Sequence, residues 1–356
     1  MGELRLMKGN EALAEAAIRA GMDAYFGYPI TPQSEVLEYL TREAWLRTKA
    51  SILQAESEVA SINMLYGAGG AGGRVMTSSS SPGISLMQEG ISYIAGAEIP
   101  CLIVNVNRGG PGLGTIQPSQ GDYFQSVKGG GHGDYRLIVL APATVQEMAD
   151  FVLEGFELAE KYRNPVLILT DGALGQMMEK VELRDQVDRA ARKIPGWATT
   201  GKTPDRAANV LTSLFIQPEE MEQVNLRLQE KYKVIEQNEI RYQTIQVEDA
   251  DMVLVAYGLS ARISRKTMEI CRAHGMKVGV IRPISLWPYP SQVITDAAQH
   301  AKAFLAVELN AGQMVEDVRL AVNGRCPVEH YGRMGGIIPS PEEIVTVIEK
   351  LYSQVS

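Results

Sequence analysis

Arg108 ends the apolar run of residues 101–107 and leads into Gly109-Gly110-Pro111-Gly112. An arginine at a strand's carboxyl end, followed by glycines that let backbone approach closely, suits the binding of a carboxylate. A surface arginine at a turn has the same signature. A second candidate is Tyr28-Pro29-Ile30-Thr31-Pro32, where a short strand ends and Thr31 with Pro32 reads as the N-cap and first residue of a helix. Open α/β sheets bind anions at such places, and a plain helix start looks no different. The third candidate is Glu58, in Gln54-Ala55-Glu56-Ser57-Glu58-Val59-Ala60. An acid in a helix's first turn gains about 0.3–1 kcal/mol from the helix dipole, and composition does not choose between Glu56 and Glu58.

Other matches carry less. Gly67-Ala68-Gly69-Gly70-Ala71-Gly72 fits G-x-G-x-x-G, but it follows an expected helix and precedes a strand. That reverses the dinucleotide-binding order, so the segment reads as a tight turn. Residues 78–81 before Pro82-Gly83 lack a G-x-S-x-G elbow, which argues against a serine hydrolase. His132 sits in a glycine-rich loop, but the 4 histidines do not cluster, and no metal site is expected. Cys101, Cys271 and Cys326 are scattered without a C-x-x-C, so neither a disulfide framework nor an iron–sulfur cluster held by this chain is expected.

The elements that must hold these residues alternate. Strands are expected at 24–27, 51–54, 74–78, 100–107, 136–140 and 165–170, with helices at 10–20, 33–45, 57–66, 84–95 and 145–160. This order predicts a mostly parallel sheet covered by helices on both faces. A proline- and glycine-punctuated stretch follows, then a charged helix with the apolar stripe Met221, Val224, Leu228, Tyr232 and Ile235, read as a connector on a surface or on a partner. A second α/β unit begins near residue 251, with strands at 252–256, 277–281 and 303–308 and helices at 260–274 and 342–352. The 356 residues exceed the ~250–300 that one core supports, which predicts units at 1–195 and 246–356 joined by a linker at 196–245. With 34 Lys+Arg against 42 Asp+Glu the net charge is −8, which argues against a nucleic-acid surface. Apolar runs are strand-sized and residues 3–20 carry many charges, so no membrane segment is expected and the chain reads as cytoplasmic.

Taken in order, Tyr28-Pro29-Ile30-Thr31-Pro32, Ser57-Glu58-Val59-Ala60, Thr77-Ser78-Ser79-Ser80-Ser81-Pro82-Gly83 and Asn107-Arg108-Gly109-Gly110-Pro111 form a pattern. It continues through Gly131-His132-Gly133-Asp134, Asn164-Pro165-Val166 and Val307-Glu308-Leu309-Asn310-Ala311-Gly312-Gln313. The whole resembles the alpha subunit of the 2-oxoacid:ferredoxin oxidoreductases, and within them the branched-chain (2-oxoisovalerate) type. The resemblance implies a thiamine diphosphate pyrimidine-binding domain followed by a transketolase C-terminal-like domain. It implies that Glu58 is the carboxylate facing N1′ of the aminopyrimidine, with Tyr28, Pro29 and Ile30 beside the cofactor. Thr31 and Arg108 would hold the carboxylate and 2-oxo group of the substrate, and residues around Gly312-Gln313 would approach neighbouring subunits.

The resemblance also implies what lies elsewhere. The chain has no G-D-G followed by asparagine, so a beta subunit would bind the diphosphate and magnesium. A gamma subunit and a ferredoxin-like delta subunit would complete the complex, with iron–sulfur clusters in the partners, CoA as co-substrate and an external ferredoxin as acceptor. Members acting on 2-oxoglutarate continue from the arginine with hydroxyl-bearing residues, where this chain has Leu113 and Gln117. This predicts a branched-chain acid as substrate, with 2-oxoglutarate as the alternative. A lipoamide-linked dehydrogenase or transketolase-type subunit and a non-catalytic assembly subunit are the remaining alternatives.

Overall fold

Runs of Val, Ile and Leu too short for a helix and bounded by glycine, asparagine or proline become the buried strands of a computed structural model that describes residues 3–355. Residues 1, 2 and 356, at the outer ends of the two expected units, lie outside it. The first half contains β1 (Glu3–Lys8), α1 (Gly9–Arg19), β2 (Ala24–Gly27), α2 (Ser34–Thr48), β3 (Ser51–Gln54), α3 (Glu58–Gly70), β4 (Val75–Ser79) and α4 (Ser81–Gly96). It continues with β5 (Cys101–Asn107), α5 (Tyr123–Val127), β6 (Ile138–Leu140), α6 (Val145–Tyr162), β7 (Pro165–Asp171), α7 (Gly172–Gln176) and β8 (Met178–Leu183). Every residue of β4, β5 and β7 is buried, as parallel strands covered on both faces require.

The second half has α8 (Pro218–Asn238), β9 (Tyr242–Ile245), β10 (Met252–Val255), α9 (Gly258–Ala273), β11 (Val278–Pro283), β12 (Ser285–Trp287) and α10 (Ser291–Ala297). It closes with β13 (Ala303–Glu308), α11 (Met314–Val322), β14 (Val328–Gly332) and α12 (Pro341–Val355). The large sheet has the order β12-β6-β7-β5-β4-β2-β3 and is parallel except for β12. Successive strands β3 and β4 lie on opposite sides of β2, so the chain reverses direction there. The carboxyl ends of strands beside such a reversal are where open parallel sheets bind ligands.

The second sheet, β14-β13-β10-β11-β9, is parallel except for β9. Its strands alternate in the way a pleat demands. Val253, Val255, Phe304 and Ala306 join the core shared with the first sheet, whereas Met252, Leu254, Leu305 and Val307 pack with Met268, Ile344 and Ile348 of α9 and α12.

The charged helix α8 lies on its own chain. Its Val224, Leu228, Tyr232 and Ile235 are buried, Met221 is half-buried, Tyr232 meets Trp287 edge-on at 5.6 Å, and Lys231 bonds Glu98 at 3.2 Å. Strands β1, β8, β9, β12 and β14 and the short helices α5, α7, α10 and α11 have no counterpart in the sequence reading. β1 pairs only with β8, about 170 residues away, and its alternating Leu4 and Leu6 face solvent instead of a core. β12 has three residues, too few for a periodic signal, and joins the first sheet although it lies in the second half. Helix α3 runs on to Gly70, so only residues beyond it form the turn expected over Gly67–Gly72. A Cβ at Gly69 would come within 2.7 Å of Ile99, which explains a glycine inside this helix.

Candidate active site

The three candidates stand beyond the carboxyl ends of three strands of one sheet: Thr31 after β2, Glu58 after its neighbour β3, and Arg108 after β5, with β4 between β5 and β2. Beneath them Tyr25 and Ser78 share a hydrogen bond of 2.7 Å, and Ser78 donates to Oε1 of Gln33 at 2.6 Å. Burial pushes the Tyr25 phenol up to about 12, so it stays protonated and ties β2 to β4.

Thr31 is not the N-cap of α2. The Gln33 amide closes a turn on the Ile30 carbonyl at 3.1 Å, and the Pro32 carbonyl accepts from Asn10 at 2.8 Å. These bonds hold residues 30–33 out of helical geometry, the Thr31–Pro32 peptide is cis, and the helix starts at Ser34 with Gln33 as its cap residue. Tyr28, Pro29 and Thr31 are exposed and Ile30 is half-buried.

Glu58 is the first residue of α3, which Ser57 caps by accepting the Ala60 amide at 3.1 Å. Burial separates the two acids that composition left equal: Glu56 is exposed, whereas Glu58 is 6 % exposed. Among the described residues nothing forms a hydrogen bond or ion pair with the Glu58 carboxylate. It faces the start of α4, where a Cβ on Gly83 would come within 2.6 Å of Glu58 Oε1 and would also collide with the Ser79 hydroxyl. Only glycine leaves that space open.

Arg108 sits beside this cradle. Its amide donates to Ser81 Oγ at 3.0 Å, two residues before Gly83. Its guanidinium donates to the carbonyls of Thr31 at 2.9 Å and Leu113 at 3.1 Å. Ser79 Oγ, Ser80 Oγ, Asn107 Nδ2, Arg108 Nε and Thr170 Oγ1 are buried without a partner. Buried polar atoms are normally bonded, so such a concentration marks a place completed by ligand or ordered water. Asp122 lies beneath the same floor, accepting from Asn105 at 2.8 Å, and burial raises its pKa.

Leu113 is 84 % exposed, and its carbonyl rather than its side chain engages Arg108. Gln117 packs against Gly336, where a Cβ would overlap its own. The His132 ring meets Tyr93 edge-on and its carbonyl accepts from Ser92 at 2.7 Å, so it brings nothing to these residues. Gln313 bonds within its own chain, accepting the Phe124 amide at 2.8 Å and donating to the Gly121 carbonyl at 2.7 Å. Ser81 and Gly83 stand in the motif Thr77–Gly83 but received no role from it, whereas Gln120 and Ile338 stand in no pattern that distinguishes them from ordinary loop residues.

Residues 15–250 match the family model described as pyruvate flavodoxin/ferredoxin oxidoreductase, thiamine diphosphate-binding, and residues 250–344 match pyruvate:ferredoxin oxidoreductase core domain II. The chain belongs to the 2-oxoacid:ferredoxin oxidoreductase family. This oxidoreductase chain is 51 % identical to the ketoisovalerate oxidoreductase subunit VorB of Methanothermobacter thermautotrophicus, over 98 % of this chain and 97 % of that one. Against the 2-oxoglutarate synthase subunit KorA of Methanothermobacter marburgensis the identity is 35 %, over 98 % and 99 %. A solved 2-oxoglutarate:ferredoxin oxidoreductase from Magnetococcus marinus, with 2-oxoglutarate, coenzyme A and succinyl-CoA bound, superimposes with a TM-score of 0.86 at 29 % identity. The oxidoreductase chain is covered to 98 % in that comparison and spans 65 % of the longer Magnetococcus chain. A split-gene transketolase shares the fold alone, with a TM-score of 0.62 at 14 % identity. Among the described residues no helix is long and apolar enough to cross a membrane.

Proposed function

We propose that this chain is the alpha-type subunit of a CoA-acylating oxidoreductase that decarboxylates 2-oxoisovalerate and passes the electrons to ferredoxin. The carrying observation is the buried, unpartnered Glu58 facing Gly83, with the Arg108–Thr31 pair joined to the same helix start through Ser81. The higher identity to VorB than to KorA supports the branched-chain acid over 2-oxoglutarate.

The site fits thiamine diphosphate at its pyrimidine end. Glu58 would share a proton with N1′ of the aminopyrimidine, and Gly83 leaves room for the ring edge, with Tyr28, Pro29 and Ile30 on the neighbouring loop. When bound, thiamine diphosphate supplies the nucleophilic carbon and the electron sink that decarboxylation of a 2-oxoacid requires. Arg108 and Thr31 bind the substrate's carboxylate and 2-oxo oxygen, fixing the 2-oxo carbon for attack. The overall reaction balances as 2-oxoacid anion plus CoA thiol giving acyl-CoA, CO2, one proton and two electrons.

In the same proposal a beta subunit holds the diphosphate with magnesium, and gamma and ferredoxin-like delta subunits complete a cytoplasmic complex. Iron–sulfur clusters, held by those partners, would supply the one-electron acceptors. Units at 1–195 and 246–356, joined by 196–245, are the proposed domain division. The test is Glu58→Gln in the assembled complex, assayed anaerobically for CoA-dependent dye reduction with 2-oxoisovalerate. General acid–base groups contribute about 10²–10⁴ in rate, so turnover should fall by at least about a hundredfold while the complex still assembles. Retained turnover would make this a non-catalytic assembly subunit.

A further inference from the structure

Beside Thr31 lies an open cleft of about 480 Å³, built from four separate parts of the chain. Pro32 and Glu35 come from the entry to α2, Ile116 and Gln117 from the loop after Arg108, and Ile338 from the loop between β14 and α12. Gly172, at the start of α7, forms part of the floor, and a Cβ there would come within 2.9 Å of Pro32 and narrow it. The loop carrying Ile338 is seated on the arginine loop: a Cβ on Gly109 would come within 3.2 Å of Gly335 and 3.3 Å of Gly336. The second unit therefore reaches the residue that follows Arg108.

The chemistry of the lining is one-sided. Ile116 is 56 % and Ile338 45 % exposed, so two large apolar side chains face the open space. None of the lining residues is cationic, and one, Glu35, is an acid. Its Oε1 accepts from Gln176 at 2.6 Å and its Oε2 from Asn10 at 3.0 Å. Burial pulls its pKa up, but these bonds outweigh it and hold the carboxyl below its usual range, so Glu35 is ionised at neutral pH. The nearest cation, Lys8, stands 3.9 Å from Glu35 and already donates to Gln176 at 3.1 Å.

We infer that this cleft receives the alkyl tail of the 2-oxoacid, with Ile116 and Ile338 as its apolar walls and Glu35 as the group that turns away a second carboxylate. The inference rests on the proposed binding of the acid's carboxylate by Arg108 and Thr31. Thr31 joins the two places, because its carbonyl accepts from Arg108 while the residue itself lines the cleft. A monocarboxylate with a hydrocarbon tail gains apolar contact there, whereas a dicarboxylate meets a like charge with no cation lining the cleft to offset it. Specificity then lies on Ile116, Ile338 and Glu35, rather than on the solvent-facing side chain of Leu113.

The test uses the assembled complex, with kcat/KM measured for 2-oxoisovalerate, pyruvate and 2-oxoglutarate and KM for CoA. Both isoleucines are surface side chains, and assembly is verified by co-purification. Combining Ile116→Ala with Ile338→Ala should lower kcat/KM for 2-oxoisovalerate about tenfold relative to pyruvate, whose tail is one methyl. Glu35→Gln should raise kcat/KM for 2-oxoglutarate roughly tenfold relative to that for 2-oxoisovalerate. Unmoved substrate ratios in an active complex would overturn the inference and leave the family reaction standing. So would a raised KM for CoA with unchanged ratios, which would give the cleft to the acyl acceptor. A shift caused by Leu113→Ser but not by the isoleucine variants would return specificity to the loop. A wild-type complex that turns over no 2-oxoacid would instead overturn the proposed function itself.

Discussion

The guanidinium of Arg108 donates to the carbonyl oxygen of Thr31 at 2.9 Å, linking loops 77 residues apart in the chain. A second guanidinium nitrogen holds the Leu113 carbonyl, so one planar side chain sets the spacing of the loops that follow β2 and β5. Arg108→Lys keeps the charge but loses the fork, because an ammonium is a point donor. Hydrogen bonds from charged groups contribute about 1.5–3 kcal/mol each, so KM for the 2-oxoacid should rise at least about tenfold with the fold intact. Steady-state kinetics on the complex check this, and an unchanged KM would remove Arg108 from substrate binding.

Gly83→Ala should disable the site without replacing a charged residue. The new methyl would sit 2.6 Å from Glu58 Oε1 and against Ser79, so the carboxylate must swing away from its position. Thiamine diphosphate affinity, followed by near-ultraviolet circular dichroism of the apo complex, should fall about tenfold or more, and turnover should fall with it. Wild-type affinity would mean that the cradle at Gly83 is not where the ring binds.

Asp171 gives the chain a pH-dependent stability of defined sign. Burial pushes its carboxyl up to about 6 from an ordinary 3.8, although the Leu174 and Ala173 amides partly oppose the shift. Between those values the folded chain holds a proton that the unfolded chain has released, so stability falls as pH rises from about 4 to 6 and is level above. Two units correspond to roughly 3 kcal/mol. Asp171→Asn keeps an oxygen to accept from Ala173 and Leu174, so it should match the wild type near pH 4 and exceed it at pH 7.5. Urea unfolding at the two pH values measures this, and an equal difference at both would refute it.

Gln120→Ala should loosen the joint between the two sheets. Its buried amide donates to the Tyr257 carbonyl at 2.9 Å and accepts from Ser260 at 2.8 Å and the Leu309 amide at 2.9 Å. Truncation strands three buried polar groups at about 1–3 kcal/mol for each left unpaired. A loss of at least about 2 kcal/mol in chemical denaturation is expected, and a change below about 0.5 kcal/mol would show that the joint contributes little.

The parallel sheet was legible because β5 and β7 each carry a short apolar run, residues 101–104 and 165–169, of the kind that burial on both faces requires. The order of Tyr28–Pro32, Glu58 and Arg108 along the chain likewise pointed to the family before any coordinates. Helix boundaries shifted where tertiary bonds intervened, as when Asn10 takes the Pro32 carbonyl and delays α2 until Ser34. β12 and the β1–β8 ribbon were invisible, since each exists only by pairing with a strand more than a hundred residues away.

By itself, then, the sequence determined residue types, the alternation of elements and the candidate site, all of which are local or ordered along the chain. Composition left Glu56 and Glu58 equal and the family resemblance chose Glu58; the tertiary structure shows Glu58 buried and Glu56 exposed, because burial depends on what α4 places opposite. It alone brought Ile338 beside Thr31 and turned the Leu113 side chain to solvent. Side-chain direction and distant neighbours arise from packing between elements, and no spacing along a single chain encodes them.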